Sequence, residues 1–169
     1  MTRKKSLNFM NRWKARTFFL VILLTAVVFY GHLEGLFAED VPMIDHQELL
    51  EEIHSARGKV VIVNFWATDC PPCKIEIPEL IKIRKKYSAE DVLLLGISVD
   101  MNQRKLTRYM QTHEFNYPVY WASGDVTQAF QVQAIPKMLI FDQQGGLVLK
   151  HEGFLDSKRL DRILTDLLS

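Results

Sequence analysis

From residue 39 onward the sequence predicts an α/β sandwich, a central mixed sheet flanked by helices. Two nearly continuous β-branched or leucine-rich runs, Lys59 to Trp66 and Asp91 to Val99, have the pattern of strands buried on both faces. Stretches of helical period alternate with them, which favours strands laid parallel through helical crossovers. Near the C-terminus two short extended runs flank Gln143-Gln144-Gly145-Gly146, strong turn chemistry that predicts an antiparallel hairpin.

Each element has a local cause. Asp45 to Ala56 sets Leu49, Leu50 and Ile53 on one side with acids opposite; Asp45 is the expected N-cap and Gly58 the stop. Pro72 to Lys86 predicts a helix with Ile75, Leu80, Ile81 and Ile83 inward, kinked at Pro78. Gln103 to Thr112 is the next helix, Tyr117 to Trp121 a short extended segment, and Ser123-Gly124-Asp125 opens a short helix ending near Phe130. Met138 to Phe141 and Leu147 to His151 are the hairpin strands. Asp156 caps a last amphipathic helix through Leu168, with Leu160, Ile163, Leu164 and Leu167 inward.

The N-terminus has a different character. Residues 1–38 hold six basic residues and one acid, Glu34, whereas residues 39–169 are net −4. A mildly acidic domain carries no electrostatic footprint for nucleic acid, so no nucleic-acid partner is expected. The basic stretch 1–16 leads into the uncharged run Thr17 to Gly31, and the segment 17–37 is expected to be a membrane anchor or a signal segment. Retention of residues 1–16 in the cytoplasm sends the rest across the membrane. Cleavage after Ala38 would release a secreted form, although Leu36 is a poor residue for such a site. Residues 32–44 are expected to be a short tether, and 44–168 the domain.

The chain has two cysteines, in the order Trp66-Ala67-Thr68-Asp69-Cys70-Pro71-Pro72-Cys73, between a buried strand and a helix. A disulfide closing so short a loop removes little chain entropy, so the pair is expected to be redox-active and not a staple. Cys70 at a helix N-terminus receives the positive end of the dipole, and Cys73 lies one turn on. Pro71 and Pro72 lack N–H groups, and Asp69 sets a negative charge beside the forming thiolate; both weigh against a strongly oxidising pair. Two thiols fall short of a structural zinc set, so no metal or other cofactor is expected beyond the Cys70–Cys73 disulfide.

The ordered combination of Val63-Asn64-Phe65-Trp66-Ala67-Thr68, Cys70-Pro71-Pro72-Cys73-Lys74-Ile75-Glu76-Ile77-Pro78, Gly96-Ile97-Ser98-Val99-Asp100, Ala134-Ile135-Pro136 and Ile140-Phe141-Asp142 resembles the thioredoxin fold. More narrowly it resembles the exported TlpA/ResA/CcmG type of thiol-disulfide oxidoreductase, over about residues 44–168. The resemblance implies a membrane-tethered protein that reduces client disulfides, such as those of apocytochrome c, with electrons from a membrane thiol relay. It implies Cys70 as nucleophile, Cys73 as resolving thiol, Glu76 as proton handler, and Ile135 with a cis Pro136 as the client-binding backbone. Trp66 is expected to pack beneath the site. Two positions depart from the family pattern: Asp69 where an aromatic is usual, and Lys137 where a threonine is usual. Lys137 is expected to be solvated, with pairing to Asp69 or a preference for acidic partners as the alternatives. Copper delivery through the same two cysteines, and a disulfide oxidase or isomerase, are the alternative functions. A peroxidase of the same superfold would want its cysteine in a threonine-containing loop, which this chain lacks.

Overall fold

The computed structural model describes residues 40–169, so the basic segment 1–16 and the apolar segment 17–37 lie outside the described residues. Among the described residues no helix is long and apolar enough to cross a membrane.

The chain runs β1 (Met43–Ile44), α1 (His46–Ser55), β2 (Val60–Trp66), α2 (Pro71–Lys86), β3 (Val92–Ser98), α3 (Gln103–Thr112), β4 (Val119–Ala122), α4 (Gly124–Ala129), β5 (Lys137–Phe141), β6 (Leu147–Glu152) and α5 (Ser157–Leu167). Six strands form one sheet in the order β1-β4-β3-β2-β5-β6. The four strands β1, β4, β3 and β2 are mutually parallel; β5 runs antiparallel to β2, and β6 to β5. This is the mixed sheet flanked by helices that the alternating pattern predicts.

All seven residues of β2 are buried, because it lies inside the sheet and both its faces are covered. Val60, Ile62 and Trp66 pack with Ile77, Leu80, Ile83, Leu106, Leu160 and Leu164, which brings α2, α3 and α5 onto one face. Val61, Val63 and Phe65 pack with Leu49, Ile53 and Val126 from α1 and α4 on the other. The period-2 alternation leaves Asn64 on the α2 side, a polar residue in an apolar layer.

Most local causes operate as expected. The Asp45 carboxylate accepts from the N–H groups of Gln47 (2.8 Å) and Glu48 (2.9 Å), while Glu48 reaches back to the Asp45 N–H (3.0 Å), a full capping box. Asp156 caps α5 through the Arg159 N–H at 3.0 Å. The hairpin turn closes with Gly145 at φ +85°, a region that glycine enters without Cβ strain.

Three expectations need correction. Leu50 is 51% exposed, because the buried stripe of α1 is Leu49 and Ile53 and Leu50 falls at its edge. Ile75 is 62% exposed. The buried face of α2 follows Cys73, Glu76, Ile77, Leu80 and Ile83, and Ile75 lies two residues from both Cys73 and Ile77, on the opposite side. Helix α2 runs on through Pro78, which is exposed. Finally, Met43–Ile44 lies in the stretch expected as tether, yet it pairs with Trp121 and Ala122 as an edge strand.

Candidate active site

The dithiol sits where β2 gives way to α2. Cys70 is the N-cap of α2, with extended backbone, and Pro71 and Pro72 occupy the first helical positions, which need no N–H partner. Cys70 and Cys73 are joined as a disulfide, their Cα atoms 5.2 Å apart. The Cys73 N–H donates to Cys70 Sγ at 3.2 Å, and the prolines offer no further amide donors. The two cysteines are buried unequally: Cys70 retains 8% exposure, whereas Cys73 is fully buried.

A buried polar cluster fixes the approach to Cys70. The Asp100 carboxylate accepts from the Thr68 N–H (2.9 Å), the Thr68 hydroxyl (2.5 Å) and the Ser98 hydroxyl (2.8 Å). Thr68, Ser98 and Asp100 are all buried, so these bonds form out of competition with water. Trp121 Nε1 donates to the Asp100 carbonyl at 2.6 Å, tying β4 to the same point. Trp66 packs beneath the loop, stacked on Phe115 at 5.4 Å and tilted against Tyr109 at 5.6 Å. Gly96 on the neighbouring strand admits that packing: a Cβ there would stand 3.0 Å from Tyr117 Cε2 and 3.4 Å from Trp66 Nε1.

Glu76 lies one turn beyond Cys73 on the same buried face and is 1% exposed. Its carboxylate accepts from Asn64 Nδ2 at 2.5 Å and from the Leu155 N–H at 2.9 Å. Burial raises its pKa to about 7, even though both hydrogen bonds pull the other way. A carboxyl of this kind exchanges a proton near neutrality, one helical turn from the inner cysteine.

The Ile135–Pro136 bond is cis. Since β5 is antiparallel to β2 and Lys137 pairs with Phe65, the bond lies at the same end of the sheet as the exit from β2 toward Cys70. The Pro136 carbonyl accepts from the Gly153 N–H at 2.8 Å. Neither backbone polar group of Ile135 has a hydrogen-bond partner among the described residues, so both remain free to pair with an extended chain.

The two departures from the family pattern do not meet. Lys137 is fully buried, which corrects its expected solvation; its Nζ donates to the Gln131 carbonyl at 2.5 Å and lies 3.6 Å from Glu152 Oε1. Burial, with Lys150 close by, lowers its pKa, and Glu152 opposes that shift. The ammonium stays inside because it has these partners, and it ties the start of β5 to Gln131, a residue held at φ 51°. Asp69 instead forms an ion pair with Lys105 of α3, which lowers the Asp69 pKa. Asp69 is exposed, and its charge beside Cys70 is largely compensated.

Sequence reasoning missed Asn64 as the partner of Glu76, the Thr68–Ser98–Asp100 cluster, and Lys105. The available signal for the second was a carboxylate closing the buried run Gly96-Ile97-Ser98-Val99-Asp100, where an unpaired charge would be costly.

Comparison with known proteins agrees with this geometry. The model of the AhpC/TSA family matches residues 41–150. The thioredoxin-like protein YneN of Bacillus subtilis is 26% identical over 137 residues, covering 79% of this chain and 80% of that protein. The thiol-disulfide oxidoreductase ResA of Oceanobacillus iheyensis is 25% identical, with 93% of this chain and 90% of that protein covered. Among solved structures, a thiol:disulfide interchange protein of the thioredoxin family from Chlorobium tepidum superposes with a TM-score of 0.63 at 31% identity, over 69% of this chain and 84% of that one.

Proposed function

We propose, given that the chain belongs to the AhpC/TSA family within the thioredoxin superfamily, that its Cys70–Cys73 pair reduces disulfides of extracytoplasmic client proteins. The protein is a thiol-disulfide oxidoreductase of the TlpA/ResA/CcmG-like kind. The observation that carries the reading is the unequal burial of the two joined cysteines at the head of α2, Cys70 keeping 8% exposure and Cys73 none.

In the reduced protein the Cys70 thiolate attacks one sulfur of a client disulfide. A mixed disulfide forms and the client's other sulfur leaves as a thiolate. Cys73 then gives its proton to Glu76 and attacks Cys70 Sγ, which expels the second client sulfur. The client is now a dithiol and the protein holds the Cys70–Cys73 disulfide. Two electrons from a membrane thiol relay restore the dithiol. The client strand lies along Ile135 and Pro136, using the unpartnered backbone groups of Ile135.

The reducing direction is favoured by the Cys70 sulfur's single amide donor, because a thiolate with few donors is less stabilised and its disulfide correspondingly less oxidising. Asp69 contributes less to this than its charge suggests, being paired with Lys105. The basic stretch 1–16 and the apolar segment 17–37 support an anchor in the cytoplasmic membrane, with the domain on the far side. Disulfides of apocytochrome c are the proposed substrates.

Trapping tests the reading. Cys73→Ser in the full-length chain accumulates mixed disulfides through Cys70 in its native cells, with apocytochrome c among the captured proteins. Accumulation by Cys70→Ser instead would reverse the assigned roles. Equilibration with glutathione tests direction, and a potential as oxidising as about −120 mV would refute reduction.

A further inference from the structure

The α3 side of the dithiol is basic. Lys105 of α3 reaches Asp69, the residue before Cys70. Lys74, the residue after Cys73, lies over the Tyr109 ring of the same helix, 5.7 Å from its centroid. These two contacts fix the α3 face that borders the site. Arg108 adjoins Lys105 three residues before it and Arg104 four residues before it on the α3 surface, and both arginines are exposed. Neither arginine forms an ion pair among the described residues. The carboxylate facing the group is Asp69, already bonded to Lys105. Asp40 accepts from Thr107 at 3.1 Å, and so meets α3 away from Lys105 but one turn from Arg104. Lys74 thus flanks the dithiol, and from the Lys105–Asp69 pair an exposed basic stripe runs along α3 through Arg108 to Arg104, on a domain segment whose net charge is −4.

We infer that the surface formed by Lys74, Arg104, Lys105 and Arg108 selects clients whose reactive cysteines are flanked by acidic residues. The inference rests on the oxidoreductase reading above and adds to it the chemistry of the client. Concentrated positive charge beside a reaction centre raises the encounter rate with anionic segments and lowers it with cationic ones. A client carboxylate also competes with Asp69 for Lys105, so binding exchanges one ion pair for another at the edge of Cys70. Anionic lipid is a weaker match, because Lys74 flanks Cys73 and Lys105 is bonded to Asp69 beside Cys70, where a client and not a membrane must approach.

The test compares two synthetic peptides with the same internal disulfide, one flanked by glutamates and one by lysines, as substrates of the reduced full-length protein. At low salt the acidic peptide should be reduced at least about tenfold faster, and the ratio should fall to within about twofold at 0.5 M salt. Arg104→Glu with Arg108→Glu should reverse the preference, and the paired glutamine variant should abolish most of it. Equal rates for the two peptides in the wild-type protein would overturn the inference while leaving the oxidoreductase reading intact. Equal rates accompanied by binding to phosphatidylglycerol vesicles would assign the surface to lipid instead. Failure to reduce either peptide would overturn the oxidoreductase reading and the inference with it.

Discussion

Replacing Glu76 with glutamine isolates the energetic consequence of burying a carboxyl beside the inner cysteine. The substitution keeps the volume and removes the charge. Its amide oxygen accepts from the Leu155 N–H, and its NH₂ donates to Asn64 once the Asn64 amide turns over. In the wild-type chain the folded-state value, about 7, lies above the ordinary 4.5, so folding favours the protonated form. The associated stability is whole below about pH 4.5 and is lost as pH rises through about 7. The full span is worth roughly 3 kcal/mol. Glutamine carries no such penalty, so the stability difference between variant and wild type should shift in the variant's favour by roughly 2–3 kcal/mol between about pH 5 and pH 8. Urea unfolding of the disulfide form of both proteins across that range gives the difference directly. The same variant should flatten the pH–rate profile of disulfide exchange near neutrality. Two stability curves that stay parallel from pH 5 to 8 would refute a carboxyl titrating near 7 in this pocket, and with it the proton-handling role.

Three further substitutions probe the surroundings. Asp69→Asn should change the alkylation rate of reduced Cys70 by less than about threefold at moderate salt, because Lys105 already compensates the carboxylate; iodoacetamide kinetics measure it. Asp100→Ala leaves the Thr68 N–H and the Thr68 and Ser98 hydroxyls without their acceptor, and should cost about 3 kcal/mol in denaturant unfolding while slowing exchange at Cys70. Gly96→Ala drives a methyl against Tyr117, Val119 and Trp66, and should lower stability by about 1–3 kcal/mol, read as a fall in Tm.

The features legible in sequence are those set by near neighbours along the chain. Buried strands such as β2 and β3 announce themselves by continuous apolar runs, and Asp45 and Asp156 announce the helices they cap. Cys70-Pro71-Pro72-Cys73 places itself, because the prolines suit only the start of a helix. The errors have a common origin in phase and pairing. Ile75 looked inward because it is apolar, yet the buried stripe of α2 is set by where the helix starts, and Glu76 took the place inside. Strand β1 is two residues long and exists through its pairing with β4, so no local period reveals it. Lys137 is buried because Gln131 and Glu152, distant along the sequence or held in an unusual turn, converge on its ammonium. The Asp69–Lys105 and Glu76–Asn64 contacts likewise join elements that only the folded sheet brings together.

The two ends of the sheet differ in what they offer to a second molecule. One edge is β1, two residues long and too short to template another strand. The other is β6, six residues with no strand on its outer side among the described residues and with Leu147 and Val148 exposed at its start. Lys150, His151 and Glu152 occupy its second half and set charge or polarity where an incoming strand would align. Self-association at high protein concentration should therefore begin at Leu147 and Val148, and a lysine at position 148 is the change that would keep the protein monodisperse without touching the redox centre.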